Sequence, residues 1–399
     1  MLKRNLEHAI KRAMDTFPAV LVSGPRQSGK TTLLKTRWSN THRYVSLENP
    51  DIRDRVLKDP KGFLKQFSPP LILDEIQYAP ELLSYIKTSI DENRKPGQWL
   101  LSGSQQFPLM QGISQSLAGR VAILNLLPFS LDEASESTKA DLTINDLLDS
   151  PPEINTSILL SDWILRGAYP EPRANPDVDR QLWCGSYIQS YLERDVRQIL
   201  NVGDLNAFER FLRLCAARTA QILNLSNLAD DTGISVPTAK RWLSVLEASW
   251  QVYLLPPYFA NFRKRIIKSP KMYFIDTGLA SFLTGFHQEE PLRNGPLWGA
   301  LFETAIIASW LKIYLHRGEM PALYYWRSRG GPEVDLIVER NGKIYPFEVK
   351  STSTVTSKSS ASLKKWLEIS GRKEGRIIAD IGEIMPVVPG VTALPWKRF

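Results

Sequence analysis

The stretch Gly24-Pro-Arg-Gln-Ser-Gly29-Lys30-Thr31 narrows the folds open to this chain more than any other feature. It satisfies the pattern of Gly, four residues, then Gly-Lys-Ser/Thr, and it sits between an apolar run, Ala19 to Val22, and a helical pattern. Such a loop belongs at a strand-to-helix junction. Its glycines let successive N–H groups curl around a phosphate, and the helix N-terminus adds the positive end of its dipole. Gly24, Pro25, Arg26, Gln27, Ser28, Gly29, Lys30, Thr31 and Thr32 are therefore expected to cradle a nucleoside triphosphate, ATP with Mg2+, although the pattern leaves Pro25 and Arg26 unconstrained. Lys30 would reach the β- and γ-phosphates, and the Thr31 hydroxyl would ligate magnesium.

The second half of such a site follows at Pro70-Leu71-Ile72-Leu73-Asp74-Glu75, an apolar strand ending in two carboxylates. Asp74 is expected to hold magnesium through water and Glu75 to orient or deprotonate the attacking water. A further strand, Trp99 to Leu101, runs into Ser102-Gly103-Ser104-Gln105. Ser104 and Gln105 are candidate γ-phosphate sensors, the alternative being an ordinary strand end. Arg120 is a candidate arginine finger or else a surface arginine, and Arg166 is a second candidate acting from a lid.

Short bare apolar runs at 19–22, 44–47, 71–73, 99–101 and 121–124, separated by amphipathic stretches, predict a parallel sheet covered on both faces. The fold class is thus α/β. With 399 residues there is room for several domains. From Leu131 to Thr156 the composition turns to Asp, Glu, Ser, Thr and Pro, which reads as a solvated linker or surface insertion. The expected division is a P-loop domain at 1–150, a helical lid and winged-helix region at 151–285, and a final α/β domain at 286–399.

Two cysteines, Cys184 and Cys215, supply neither a disulfide framework nor a zinc site. The N-terminus has no signal-peptide core, and the apolar stretch from Gly299 to Leu315 is broken by Glu303 and Lys312, so a cytoplasmic chain without a membrane span is expected. A net charge of +8 points toward nucleic acid, DNA more than RNA.

Leu225 to Ile234 and Ser235 to Glu247 read as helix, Gly-containing turn and helix, with Val252 to Leu255 and Met272 to Ile275 as wing strands. Between the wings, Arg263, Lys264, Arg265, Lys268 and Lys271 form an acid-free basic segment suited to phosphate backbone. Beyond it, Glu333-Val-Asp335 and Phe347-Glu348-Val-Lys350 flank an Asn341-Gly342 hairpin signal. Alternation puts Glu348 and Lys350 on one face. Asp335, Glu348 and Glu303 could hold Mg2+, or Mn2+ in its place, with Lys350 positioning water, as in a phosphodiesterase. A salt-bridge cluster is the alternative.

Together these residues resemble a large prokaryotic family of AAA-type ATPases with a C-terminal domain of unknown function similar to PD-(D/E)XK restriction endonucleases. The resemblance rests on Gly24 to Thr31, Leu73 to Glu75, Leu101 to Gln105, Leu117 to Arg120, Arg166 to Pro170, Tyr273 to Gly278, Glu333 to Asp335 and Glu348 to Lys350. It implies a P-loop NTPase sheet, a winged-helix middle and a restriction-endonuclease-like end. The match departs from the nuclease pattern at Val334, where Pro is usual. Relatives of this kind act as rings or pairs, which implies a homo-oligomer in which Arg120 or Arg194 reaches a neighbour's nucleotide. Two readings follow: an ATP-hydrolysing protein that acts on DNA with a metal-dependent nuclease-like domain, or a nucleotide-controlled switch or scaffold that binds nucleic acid or a partner protein through an inactive nuclease fold.

Overall fold

The structure is a computed structural model and describes residues 2–104, 116–192, 196, 204–259, 268–328 and 331–399. Gln105, Arg194 and the basic residues Arg263, Lys264 and Arg265 lie outside the described residues.

Five strands, β1 (Ala19–Ser23), β2 (Arg43–Ser46), β3 (Leu71–Asp74), β4 (Trp99–Ser102) and β5 (Val121–Asn125), form a wholly parallel sheet in the order β2-β3-β4-β1-β5. Strands buried on both faces need no polar alternation, hence the bare apolar runs. Helices Pro50–Lys58, Pro60–Gln66 and Leu82–Glu92 contribute to one core, and helices Leu6–Met14 and Lys30–Trp38 to another. Because β4 lies between β1 and β3, its carboxyl end opens between the phosphate loop and the Asp74-Glu75 pair. Ligands of open parallel sheets bind at the carboxyl ends of the strands.

Residues 131–156 are not a solvated linker. Leu131, Ile144, Leu148 and Ile154 enter the largest core, and Glu133 is fully buried. The polar residues that suggested a loop are helix caps: Ser130 with Glu133, and Thr143 with Asp146, each close a capping box. Composition does not separate capping residues from loop residues, since both jobs require short polar side chains.

The middle of the chain is helical, with Leu225–Thr232 and Val236–Ala248 joined through Gly233 and flanked by an antiparallel sheet of β6 (Gln221–Ile222), β8 (Lys271–Phe274) and β7 (Val252–Leu255). The C-terminal sheet is mixed, in the order β13-β14-β12-β11-β10-β9. It comprises β9 (Leu323–Arg327), β10 (Glu333–Arg340), β11 (Lys343–Lys350), β12 (Gly375–Ala379), β13 (Met385–Val388) and β14 (Val391–Pro395). Asn341 and Gly342 both take positive φ, as the hairpin signal requires. The 18-residue helix Trp298–Leu315 packs on both β11 and β8, and its apolar residues belong to a core that runs from Leu127 to Phe399.

Among the described residues no helix is long and apolar enough to cross a membrane. Cys184 and Cys215 are buried free thiols pushed upward by burial, Cys184 to about 12.

Candidate functional site

The phosphate loop is held open by backbone geometry and by neighbours. Gly24 has φ 146°, and a Cβ there would meet the Leu126 carbonyl oxygen at 2.2 Å, so only glycine fits. Lys30 heads the helix Lys30–Trp38 and points its Nζ at the Gly24 and Pro25 carbonyl oxygens, 3.1 and 2.7 Å away. The Thr31 hydroxyl donates to the Asp74 carboxylate at 2.9 Å, bringing the two proposed magnesium residues together. Asp74 also accepts from Tyr44 Oη at 2.7 Å and from Ser102 Oγ. Hard oxygen donors of this kind suit magnesium. Neither Tyr44 nor Ser102 was singled out in the sequence; only strand order puts β2 and β4 on either side of Asp74.

Glu75 adopts φ 59°, a left-handed backbone rare for a non-glycine residue, and its carboxylate accepts from Gln77 Nε2. The same Gln77 amide donates to Ser104 Oγ at 3.1 Å. Ser104 thus meets Glu75 through Gln77, which the sequence reading passed over. A cavity of about 700 Å3 opens here, lined by Arg26, Gln27, Gly29, Lys30, Thr31, Thr32 and Glu75 and closed by Pro170, Glu171, Tyr187 and Ser190.

Arg166 is not among that lining. It pairs with Asp162 at 3.4 Å, while the residues just after it reach the cavity. Gly167 explains part of that motif: a Cβ there would strike Asp276 Oδ1 at 2.4 Å, and Asp276 also accepts from Ala168 N at 2.7 Å. The Arg166–Pro170 and Tyr273–Gly278 motifs are therefore two sides of one joint. Arg120 lies at the opposite, amino-terminal edge of the sheet, where its carbonyl accepts from Ala19 N and its guanidinium pairs with Asp91 at 2.6 Å. The fold does not bring it to the phosphate loop of its own chain.

Behind the loop lies a buried group that sequence reading missed. Arg4 donates to the Ser28 and Leu127 carbonyls at 2.8 and 2.6 Å and pairs with Glu133 at 3.2 Å. His316, just past the helix Trp298–Leu315, faces Glu133 with Nδ1 at 3.3 Å and accepts from Leu127 N through Nε2 at 3.2 Å. Burial opposes a charged Glu133, but Arg4 and His316 hold its carboxyl well below the usual range. Burial pushes His316 below its ordinary value, against the opposite pull of Glu133. One hydrogen-bonded path thus joins the phosphate loop to the C-terminal helix. Lone charged residues far apart in sequence carry no signal of such a partnership.

The C-terminal candidates come together around a lysine that the sequence assigned elsewhere. Lys271, on β8, sits 2.7 Å from Glu303, 2.5 Å from Glu333 and 4.0 Å from Asp335. Tyr273 donates to Glu303 at 2.5 Å. Asp335 accepts from Val349 N at 2.8 Å, and Lys350 donates to Glu348 at 2.6 Å, both from β11. Burial pushes Glu303, Asp335 and Glu348 upward. These oxygens would suit a hard metal ion in kind, but not as arranged: among the described residues no three His, Cys, Asp or Glu side chains are grouped to hold one. Glu303, Asp335 and Glu348 were expected to face a metal with Lys350 beside them; the structure adds Lys271, which the sequence placed elsewhere, to the same group.

A family model described as an AAA domain matches residues 16–135. Two domains of unknown function, DUF8612 and DUF4143, match residues 158–290 and 298–399. An uncharacterized protein of Mycobacterium tuberculosis and one of Mycobacterium bovis are each 31% identical over 353 residues, covering 88% of this chain and 74% of the relative. Among solved structures, a Walker-type ATPase of Pyrococcus abyssi aligns over 70% of this chain and 94% of its own at 15% identity and TM-score 0.45. The RuvB Holliday junction branch migration motor of Thermotoga maritima aligns over 63% and 89% at 17% identity and TM-score 0.30.

Proposed function

Since the chain belongs to the family of the two mycobacterial proteins and opens with an AAA-type P-loop ATPase domain, we propose that it binds and hydrolyses ATP, and that its C-terminal half acts on nucleic acid. The observation that carries this reading is that Lys30, Thr31 and Glu75 line one cavity while Asp74 is bonded to Thr31 beside it. Lys30 binds the β- and γ-phosphates in exchange for the loop carbonyls it now touches. Thr31 and Asp74 hold magnesium, which when bound offsets charge on the phosphate oxygens. Glu75 orients or deprotonates the attacking water, and Gln77 keeps its carboxylate in register with Ser104.

Phosphate release by the full chain, with magnesium and with or without DNA, tests the proposal. Glu75→Gln is expected to keep ATP binding and to lose about a hundredfold or more in turnover. Turnover equal to wild type in that variant would remove Glu75 from the mechanism, and indifference to every form of DNA would end the nucleic-acid part.

A second reading draws on Lys271. A carboxylate cluster compensated by lysines favours a nucleotide-controlled switch or scaffold that grips its partner without cutting it. Cleavage of DNA with magnesium or manganese that disappears in Asp335→Ala would reject this reading in favour of a nuclease.

A further inference from the structure

Beside the lysine-filled cluster lies a cavity of about 730 Å3 that the proposed chemistry does not use. It forms at the joint between the middle region and the C-terminal sheet. Leaving β7, the chain pairs Pro257 with Tyr325 on β9, the edge strand of that sheet; Tyr258 N donates to Tyr325 O at 2.5 Å, and Tyr325 N to Pro256 O at 3.0 Å. An edge strand is a ready template for such an addition. Ligand sites concentrate at joints of this kind.

The lining is unusual in its chemistry. Tyr258, Phe259, Tyr325 and Trp326 supply rings, Lys268 and Arg327 supply exposed positive charge, and among the described residues no carboxylate lines it. Tyr325 is anchored by its hydroxyl to Ser269 O at 2.6 Å, and Tyr258 stands edge-on to Tyr324 with ring centroids 5.8 Å apart. Arg327 links the cavity to the cluster, since its guanidinium lies 3.6 Å from Glu333, which in turn holds Lys271. Another basic cavity, of about 340 Å3 around Lys343, Arg372 and Arg376, has Asp149 and Glu374 among its lining and would repel a polyanion in part.

We propose that the Tyr258–Trp326 groove receives an unpaired base of a single-stranded DNA segment, with Lys268 and Arg327 on the adjoining phosphates. Rings with a cationic rim serve any base because every base has a π-face, whereas in a duplex those faces are covered by the neighbouring base pairs. The assignment rests on the nucleic-acid part of the proposed function and adds strand type to it.

The test uses the full chain and fluorescence anisotropy of an end-labelled oligothymidylate, set against a duplex of the same length at the same salt. Wild type is expected to bind the single strand more tightly. Trp326→Ala should weaken single-strand binding about tenfold or more, Trp326→Phe should restore most of it, and ATP binding should be unchanged in both. Arg327→Ala should weaken both DNA forms and lower the salt dependence by about one. A duplex preference overturns the assignment, as does single-strand binding unaffected by both Trp326→Ala and Tyr258→Ala. If neither DNA form binds wild type, the broader nucleic-acid reading fails; if DNA binds but the ring variants behave as wild type, only the groove does.

Discussion

Asp74 and Glu348 are both carboxylates buried on strands, yet their partners differ in kind. Asp74 accepts hydrogen bonds from three neutral hydroxyls, on Thr31, Tyr44 and Ser102. Glu348 accepts from an ammonium, Lys350, and its neighbours Glu303 and Glu333 share a second, Lys271. Hydroxyls orient a carboxylate and leave its charge in place, which suits a site that takes up a cation together with its substrate. At the second cluster the fold supplies cations of its own. Two acidic clusters that look alike in sequence are therefore prepared for different work.

Removing Lys271 should give the largest effect. Lys271→Met leaves the largely buried Glu303 without its cation and Glu333 with Arg327 alone, and a loss of about 3 kcal/mol in unfolding free energy is expected by denaturant titration. Should the variant instead hold its stability and gain manganese-dependent thermal stabilisation, the lysine was standing in a metal's place, and the contrast with Asp74 would collapse.

Asp74→Asn keeps the shape of the first site while removing its charge and turning one acceptor oxygen into a donor. ATP turnover should fall about a hundredfold with little change in melting temperature. A large drop in stability would mean that Asp74, like Glu348, is chiefly structural.

Acid and base should separate the regions by sign. Burial, reinforced by Asp335, pushes Glu348 up to about 8, above its unfolded value of 4.5. The folded form therefore holds the proton more tightly, and the stability this adds is full below about pH 4.5 and lost as pH rises through about 8. Glu133 runs the other way: Arg4 and His316 overcome burial and depress it, so its contribution is present above about pH 4.5 and lost on acidification. Melting curves across this range should show Glu348→Gln flattening the alkaline limb and Glu133→Gln the acid limb. The same limb altered in both variants would contradict these assignments.

The smallest effect is expected from Arg120→Ala. Its pairing with Asp91 is exposed, and the pair lies at the far edge of the sheet. ATP affinity of the isolated chain should stay within about twofold, because surface ion pairs contribute little. If turnover falls while affinity holds, and falls only at concentrations where copies associate, Arg120 acts on a neighbouring copy.

The first domain was legible because its work is local. A strand, a glycine loop and a helix must be consecutive to cradle a phosphate, so Gly24 to Thr31 carried loop, strand and helix together, and the bare runs at 71–73 and 99–101 foretold strands buried on both faces. The Asn341-Gly342 hairpin was readable for the same reason. The segment 131–156 was not, because caps and loops draw on the same short polar residues.

What the amino-acid order determined by itself was everything that depends on neighbours a few residues apart: the phosphate loop, the strand ending in Asp74 and Glu75, the Asn341-Gly342 hairpin and the alternation that sets Glu348 beside Lys350. Only the tertiary structure decided which distant charges meet. Glu133 meets Arg4 and His316, and Lys271 meets Glu303 and Glu333, across separations of 32 to 183 residues. A buried charge must find an opposite one wherever the fold supplies it, and periodicity in the chain carries no record of that choice.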